Sequence, residues 1–136
     1  MKQEDFNKLK DIIEKELTLT ESNIHDKSLQ ISNYYIKFLQ IYNKEVKLLK
    51  NLYHSKEKKF GDLYHYYKFK YEFQLGTKSE IEVYINSNDE FHDISMEFSN
   101  QEIIVKYLEQ ILDHINNVGY RIKNYIELQK LKQGLL

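Results

Sequence analysis

The 136-residue sequence contains no cysteine, no proline, no tryptophan and no alanine, and it has only four glycines. Without cysteine the chain can form no disulfide framework and no thiolate metal site, and it has no cysteine nucleophile. Proline and glycine are the residues that most often interrupt helices, so their scarcity favours long helices over a β-sandwich. A chain of this length is expected to form one domain.

Long apolar runs are absent as well. No stretch approaches the roughly 18 uncharged apolar residues that a membrane-spanning helix needs. The first residues, Met1 to Asp5, are not followed by an apolar segment of the kind found in signal peptides. We therefore expect a soluble intracellular protein that has no membrane partner.

Patterns typical of catalysis or metal binding are also missing. None of the five histidines has a second histidine or an acid at a recognised ligand spacing. Asp113 and His114 are adjacent, so on a helix their side chains point about 100° apart and cannot act as a pair. Gly76 and Gly119 are isolated and form no phosphate-binding loop. We predict no catalytic residue, no metal site and no cofactor, and hence no enzyme activity.

Positive and negative charges are separated along the chain, although the net charge is only −1. The basic segment, Lys44–Lys70, holds eight lysines and three acids, whereas Glu72–Asp113 holds ten acids and two lysines. Lysines neutralise phosphates and rings stack on unpaired bases, so a surface rich in both is typical of single-stranded nucleic-acid binding. The rings in or directly after the basic segment are Tyr53, Phe60, Tyr64, Tyr66, Tyr67, Phe69 and Tyr71.

Other interpretations of this charge pattern are open. The rings could be core residues whose neighbouring lysines only solvate a helix, which is the commoner meaning of a charged run. Helical geometry predicts that Lys58, Lys68 and Phe69 lie on the side of the helix opposite the face that carries Tyr64 and Tyr67. The acidic segment could be a solubilising surface, or could dock on a basic partner or a neighbouring subunit.

Apolar spacing predicts three helices and one strand. A short amphipathic helix is indicated over Glu4–Leu19, and a long helix over about Lys27–Lys68. Glu80–Asn86 alternates polar and apolar residues with a period of two, which indicates a half-buried strand. A second long helix is predicted over Asn88–Lys132, with Asn88 and Asp89 as its capping residues.

The second long helix carries an apolar stripe that continues for about eight turns. A stripe of this length must be buried, either against the first long helix or against copies of itself. In a chain this small we expect both. The residues predicted to mediate self-association are Leu108, Ile111, Ile115, Val118, Ile122 and Ile126.

From about Leu29 to Gln133 the order of features resembles the UvsY recombination mediators of tailed bacteriophages. Leu63-Tyr64-His65-Tyr66-Tyr67 is similar to the family's Leu-aromatic-acid-Tyr-Tyr ending of the first long helix. Lys78-Ser79-Glu80 leads into the strand-like run, as in the family. The most specific likeness is Gly119-Tyr120-Arg121-Ile122-Lys123-Asn124-Tyr125-Ile126-Glu127, close to the family's Tyr-x-Ile-Lys-Asn-x-Ile-Glu.

The resemblance implies a non-enzymatic accessory protein of phage homologous recombination, located in the host cytoplasm. Such mediators bind single-stranded DNA, weaken the grip of the phage single-strand-binding protein and help a RecA-like recombinase to assemble. The family forms ring-like homo-oligomers through its C-terminal region and contacts DNA through the basic part before Tyr-Tyr. One departure is Phe60-Gly61-Asp62-Leu63, where the family often has Arg with Lys, and lysine lacks the planar fork of arginine.

These observations predict a mainly α fold of long antiparallel helices with a short β-strand element between them, which oligomerises through the C-terminal helix. Residues 1–71 would form the N-terminal helical region with the DNA-binding segment. Residues 72–136 would form a strand-containing linker and the self-association helix, all in one compact unit. The alternative function is a helical scaffold or adaptor without nucleic-acid binding. The predicted DNA-binding residues are Lys56, Lys58, Lys59, Tyr66, Tyr67, Lys68 and Lys70.

Overall fold

The computed structural model describes residues 1–134, and most of these residues lie in four α-helices. A π-helical turn extends the second helix, and no β-strand occurs within the described part of the chain. The helices are α1 (Gln3–Glu16), α2 (Ile24–His65), α3 (Lys78–Asn86) and α4 (Asp89–Lys132), and the π-helical turn is Tyr66–Lys70. None of these helices is long and apolar enough to cross a membrane.

The prediction of one short and two long helices is confirmed. The bounds of the two long helices agree with the predicted ones to within about three residues, the π-helical turn being counted as the end of α2. Asn88 caps α4 as predicted, because its Oδ1 accepts a hydrogen bond of 3.1 Å from the backbone N–H of Phe91. Such a bond satisfies one of the backbone donors that the first turn of a helix leaves free.

The prediction of a strand at Glu80–Asn86 was wrong, because these residues form α3. Thr77 caps this helix: its side chain accepts a hydrogen bond from the backbone N–H of Glu80. The Glu80 carboxylate reaches back to the backbone N–H of Gly76 at 3.0 Å, so the pair resembles a capping box. Ile81 and Ile85 stand four residues apart and are both buried. A period-two pattern in so short a run also places residues at this helical spacing.

The chain divides into two compact units. Unit 1 comprises Met1–Lys44 and the chain from Lys106 onwards. The Phe6 and Tyr107 rings meet edge to face with centroids 4.8 Å apart, and the Tyr42 hydroxyl donates to Glu109 Oε1 at 2.9 Å. The core of the unit is formed by Ile13, Leu17 and Phe38 together with Leu108, Ile111, Leu112, Ile115, Val118 and Ile122.

Unit 2 comprises Glu45–Val105 and has its own core. Within this unit α2 and α4 run antiparallel, since Glu45 meets Gln101 and the later residue Lys59 meets the earlier residue Glu90. Gln101 is buried and donates from Nε2 to both the backbone oxygen and Oε2 of Glu45, at 2.9 and 2.6 Å. The apolar core consists of Leu63, Ile81, Ile85 and Phe91, with Phe60, Tyr64, Tyr67 and Leu75 packed against it.

We expect Ile85→Ala to lower the free energy of unfolding by about 2–5 kcal/mol, because Ile85 is fully buried and its loss leaves a cavity. Val83→Ala is the matched control, since Val83 is 63% exposed and should change stability by less than about 0.5 kcal/mol. Urea unfolding monitored by circular dichroism measures the free energy of unfolding of both variants. Equal losses for the two variants would contradict the helical assignment, because in a strand positions 83 and 85 share a face.

Candidate nucleic-acid interface

The basic segment follows the C-terminal half of α2 and continues through the π-helical turn. Six of its eight lysines are exposed, and the other two, Lys56 and Lys59, are half-buried. From Glu45 onwards the segment belongs to unit 2, so all seven predicted DNA-binding residues lie in that unit.

Lys59 is held in an ion pair with Glu90 in the first turn of α4, where its Nζ donates a hydrogen bond to Glu90 Oε2. The two side chains are 26% and 73% exposed. The hydrogen bond from Lys59, followed by the attraction of its charge, lowers the pKa of Glu90 below its ordinary value, against an opposing effect of burial. Part of the positive charge of Lys59 is therefore neutralised within the protein.

Lys56 and Lys58 have different surroundings although they are close in sequence. The Lys56 ammonium lies over the Phe98 ring, 5.0 Å from its centroid, which is a cation–π geometry. The Phe98 ring also contacts Tyr53, with centroids 6.1 Å apart. Lys58 is exposed. Among the three neighbouring lysines, Lys58 therefore offers its charge to solvent most directly.

Lys68 lies beside two rings. Its Nζ is 5.4 Å from the Phe69 centroid and 5.8 Å from the Tyr64 centroid. The prediction that Lys68 points away from the face of Tyr64 was wrong, because residues four apart are neighbours on a helix. Lys70 is exposed, as is Lys68. Two exposed cations are thus found within the π-helical turn itself.

Five aromatic side chains from the π-helical turn, the segment after it and α3 form one contact network, which we call the ring cluster. Its centroid distances range from 5.2 to 6.0 Å, and most pairs are edge to face. Burial, followed by the charges of neighbouring groups, raises the pKa of Tyr71 at the centre of the cluster. The members are Tyr66, Tyr67, Tyr71, Phe73 and Tyr84.

The two predicted stacking residues have different exposures. Tyr66 is 44% exposed, so part of its ring can meet a base. Tyr67 is half-buried and packs against the core of unit 2, which makes it a supporting residue of the cluster. The sequence does not show whether these two rings are exposed. In the structure Tyr66 is exposed and Tyr67 is half-buried.

Sequence reasoning did not identify two exposed rings beside the predicted site. Phe73 is 63% exposed and Tyr84 is 39% exposed. Both lie in the acidic segment, outside the stretch that is rich in lysine, and Tyr84 lies in the region predicted as a strand. The pattern Thr77-x-x-Glu80 was a signal for a helix at this place, and a helix there carries Tyr84 on the turn that also carries Ile81.

The residues predicted for self-association occupy unit 1. Five of them, Leu108, Ile111, Ile115, Val118 and Ile122, are buried within the chain itself. Ile126 is 43% exposed, and farther along α4 Leu128 and Leu131 are 48% and 61% exposed. The stripe therefore covers apolar surface of its own chain, and Ile126 is its one exposed residue among the six predicted. At 100° per residue, Leu128 and Leu131 lie about 160° and 140° from Ile126, so they are not part of the stripe.

Within residues 1–134, no group of three or more histidine, aspartate or glutamate side chains is placed to hold a metal ion. The candidate site is the surface of lysines and rings described above.

A family model described as the recombination, repair and ssDNA binding protein UvsY matches residues 12–135 of the chain. A crystal structure of the bacteriophage T4 recombination mediator protein UvsY in lattice type II is similar, with 17% identity and a TM-score of 0.83 over 98% of both chains. The lattice type IV structure of the same T4 protein has 14% identity and a TM-score of 0.80, covering 93% of this chain and 98% of the T4 chain. No curated protein sequence matches the chain.

We expect Lys59→Gln to raise the pKa of Glu90, because the substitution removes the hydrogen bond and the charge that lower it. Since the folded-state pKa of Glu90 is depressed, the ion pair stabilises the fold at neutral pH and loses that effect as pH falls through the folded pKa. NMR titration of the glutamate side-chain carboxyl carbons measures the change.

Lys58→Gln is the matched control for this titration. It removes the same charge from an exposed neighbour and should leave the pKa of Glu90 nearly unchanged. If both variants shift Glu90 equally, long-range charge and not the ion pair determines its titration.

Proposed function

The chain belongs to the UvsY family, and from that membership we propose that it is a recombination mediator that binds single-stranded DNA. In this proposal it acts without enzymatic chemistry in homologous recombination and repair. It weakens the hold of the phage single-strand-binding protein on DNA and assists a RecA-like recombinase in assembling there. Its partners are then single-stranded DNA, these two proteins and further copies of itself.

The observation that carries the proposal is the position of the basic segment. Its exposed lysines follow α2 and the π-helical turn, and exposed rings lie at the end of that path. Lysines hold phosphates in a salt-dependent manner without reading sequence, and rings accept any unpaired base. A mediator needs such binding, because it must act wherever single-stranded DNA is exposed.

The predicted residues have different roles in this proposal. Lys58, Lys68 and Lys70 are exposed and contact phosphates directly. Lys56 and Lys59 contribute charge from the flank that faces α4, where Lys59 is shared with Glu90. Tyr66 stacks on a base, while Tyr67 supports its ring.

We further propose that the chain assembles into a ring of several subunits through the C-terminal part of α4. Because five residues of the apolar stripe are covered within the chain, the contact between copies uses the exposed apolar residues near the end of α4, Ile126, Leu128 and Leu131. A ring repeats the basic segment in every subunit, so weak binding at each one sums to tight binding along a strand. Residues 1–71 then supply DNA contacts, and residues 72–136 supply self-association.

One observation favours the alternative, a helical scaffold that binds no nucleic acid. Met96 and Ile103 are 49% and 63% exposed on α4, one heptad apart, within the acidic segment. Such a face fits a basic, partly apolar protein partner. The two proposals differ in a property that is simple to measure, since a scaffold has no affinity for oligonucleotides.

We expect the triple variant Lys56→Ala, Lys58→Ala and Lys59→Ala to bind oligo-dT more weakly than the unmodified chain and with a flatter salt dependence. Each phosphate contact on a single strand contributes about 0.7 to the slope of log affinity against log salt, so three lost contacts reduce the slope by up to about 2. Fluorescence anisotropy of labelled oligo-dT at several salt concentrations measures the affinity and its salt slope, with duplex of equal length as competitor.

The control is the triple variant Lys8→Ala, Lys10→Ala and Lys15→Ala, which removes the same charge from α1. It should retain the original slope. An unmodified chain that does not bind oligo-dT at low salt would leave the scaffold as the better proposal. Binding with an identical slope for all three proteins would remove the basic segment from the mechanism.

We expect the double variant Ile126→Ser and Leu131→Ser to form smaller species than the unmodified chain, because both side chains are exposed and would be buried between copies. Multi-angle light scattering gives the mass. Ile103→Ser is the control, since Ile103 is 63% exposed in unit 2 and should leave the mass unchanged. A mass that stays the same in both variants would exclude the C-terminal part of α4 as the contact.

A further inference from the structure

The ring cluster combines residues that are distant on a regular helix. Tyr66 and Tyr71 are five residues apart, which corresponds to about 140° on an α-helix, yet their centroids are 6.0 Å apart. The π-helical turn brings them together, because the Tyr71 N–H bonds the Tyr66 carbonyl oxygen at 2.8 Å across five residues. Turns of this kind are rare and are frequently found at functional sites.

The cluster is anchored on its inner side. Tyr67 packs against the buried core of unit 2, and its ring centroid is 5.2 Å from Tyr71 and 5.6 Å from Tyr84. Tyr84 lies on α3, whose Ile81 and Ile85 are in the same core. The exposed rings are therefore held on a rigid base, which keeps the entropic cost of binding low.

Three members of the cluster are exposed towards solvent. Phe73 is 63% exposed, Tyr66 is 44% exposed and Tyr84 is 39% exposed. Phe73 contacts the cluster through Tyr71, with centroids 5.9 Å apart. A large part of each of these rings is open to a planar ligand.

Charge around the cluster indicates which ligand fits. Lys68 and Lys70 are exposed within the π-helical turn, whereas Glu72 follows the turn and the first turn of α3 holds both Lys78 and Glu80. A polyanion with planar groups fits this arrangement if its phosphates run along the lysines while its uncharged bases lie on the rings. Duplex bases are already stacked on one another, so only a single strand presents them freely.

We propose that the ring cluster is a base-stacking surface for single-stranded nucleic acid and that Phe73 and Tyr84 are binding residues. This inference rests on the proposed function and extends its site into the acidic half of the chain. The bases lie on the exposed rings of Phe73, Tyr84 and Tyr66. The strand continues from there past Lys70 and Lys68 to the rest of the basic segment.

The test compares oligo-dT with an abasic oligonucleotide of equal length, because both carry the same phosphates and only oligo-dT has bases. We expect the double variant Phe73→Leu and Tyr84→Leu to bind oligo-dT at least about fivefold more weakly, with unchanged affinity for the abasic strand and an unchanged salt slope. Tyr120→Leu is the control, since Tyr120 is a 66% exposed ring in unit 1 and should retain full affinity.

A spectroscopic measurement tests the stacking itself. The chain contains no tryptophan, so Phe73→Trp introduces a single indole at the proposed surface. We expect oligo-dT to quench the emission of this indole. The variant should bind oligo-dT within about twofold of the original affinity, because an indole also stacks on bases. The abasic strand should bind without comparable quenching.

The outcomes separate the inference from the proposed function. If the unmodified chain binds neither oligonucleotide, the proposed function fails. If it binds oligo-dT and the double leucine variant binds equally well, the lysines carry the binding and the inference is overturned. A double leucine variant that keeps its affinity for oligo-dT but changes in mass would identify the cluster as a contact between copies, which also overturns the inference.

Discussion

The candidate site depends on the burial of four apolar side chains in unit 2: Leu63, Ile81, Ile85 and Phe91. These residues come from the end of α2, from α3 and from the start of α4, so one core joins every element near the basic segment. Burial of this kind is non-directional and approximately proportional to the apolar area removed from water. Directional features, namely the Thr77 cap, the Asn88 cap and the π-helical turn, then determine which side chains remain outside.

Charge in unit 2 is arranged by local contacts as much as by composition. The basic segment has a large excess of lysine, yet Lys59 is partly neutralised by Glu90, and Lys56 lies over the Phe98 ring. Of Lys56, Lys58 and Lys59, only Lys58 is exposed, and the π-helical turn adds the exposed Lys68 and Lys70. The two lysines of the turn lie close to the exposed rings, and this is the combination that single strands require.

The sequence was sufficient to predict the long helices, because the apolar spacing on α2 and α4 is regular over many turns and Asn88 is a strong capping residue. For α3 two sequence signals conflict, because the Thr77-x-x-Glu80 capping pattern indicates a helix and the period of two indicates a strand. Ile81, Val83 and Ile85 satisfy a strand period, and only packing of Ile81 and Ile85 against Leu63 leaves Val83 in solvent. The location of the basic segment could be predicted in the same way from charge. The ring cluster could not, because a π-helical turn and a contact with α3 have no local sequence signal.

The buried hydrogen bonds between Gln101 and Glu45 have a consequence for the alignment of the two long helices within unit 2. Apolar stripes at heptad-like spacing tolerate sliding by one turn, about 5.4 Å, because they repeat at nearly that distance. A slip of this size would separate the Gln101 amide from both oxygens that it bonds and leave a polar group in a dry environment. The pair therefore selects one register of α2 against α4, and the same register determines which residue of α4 stands opposite each lysine.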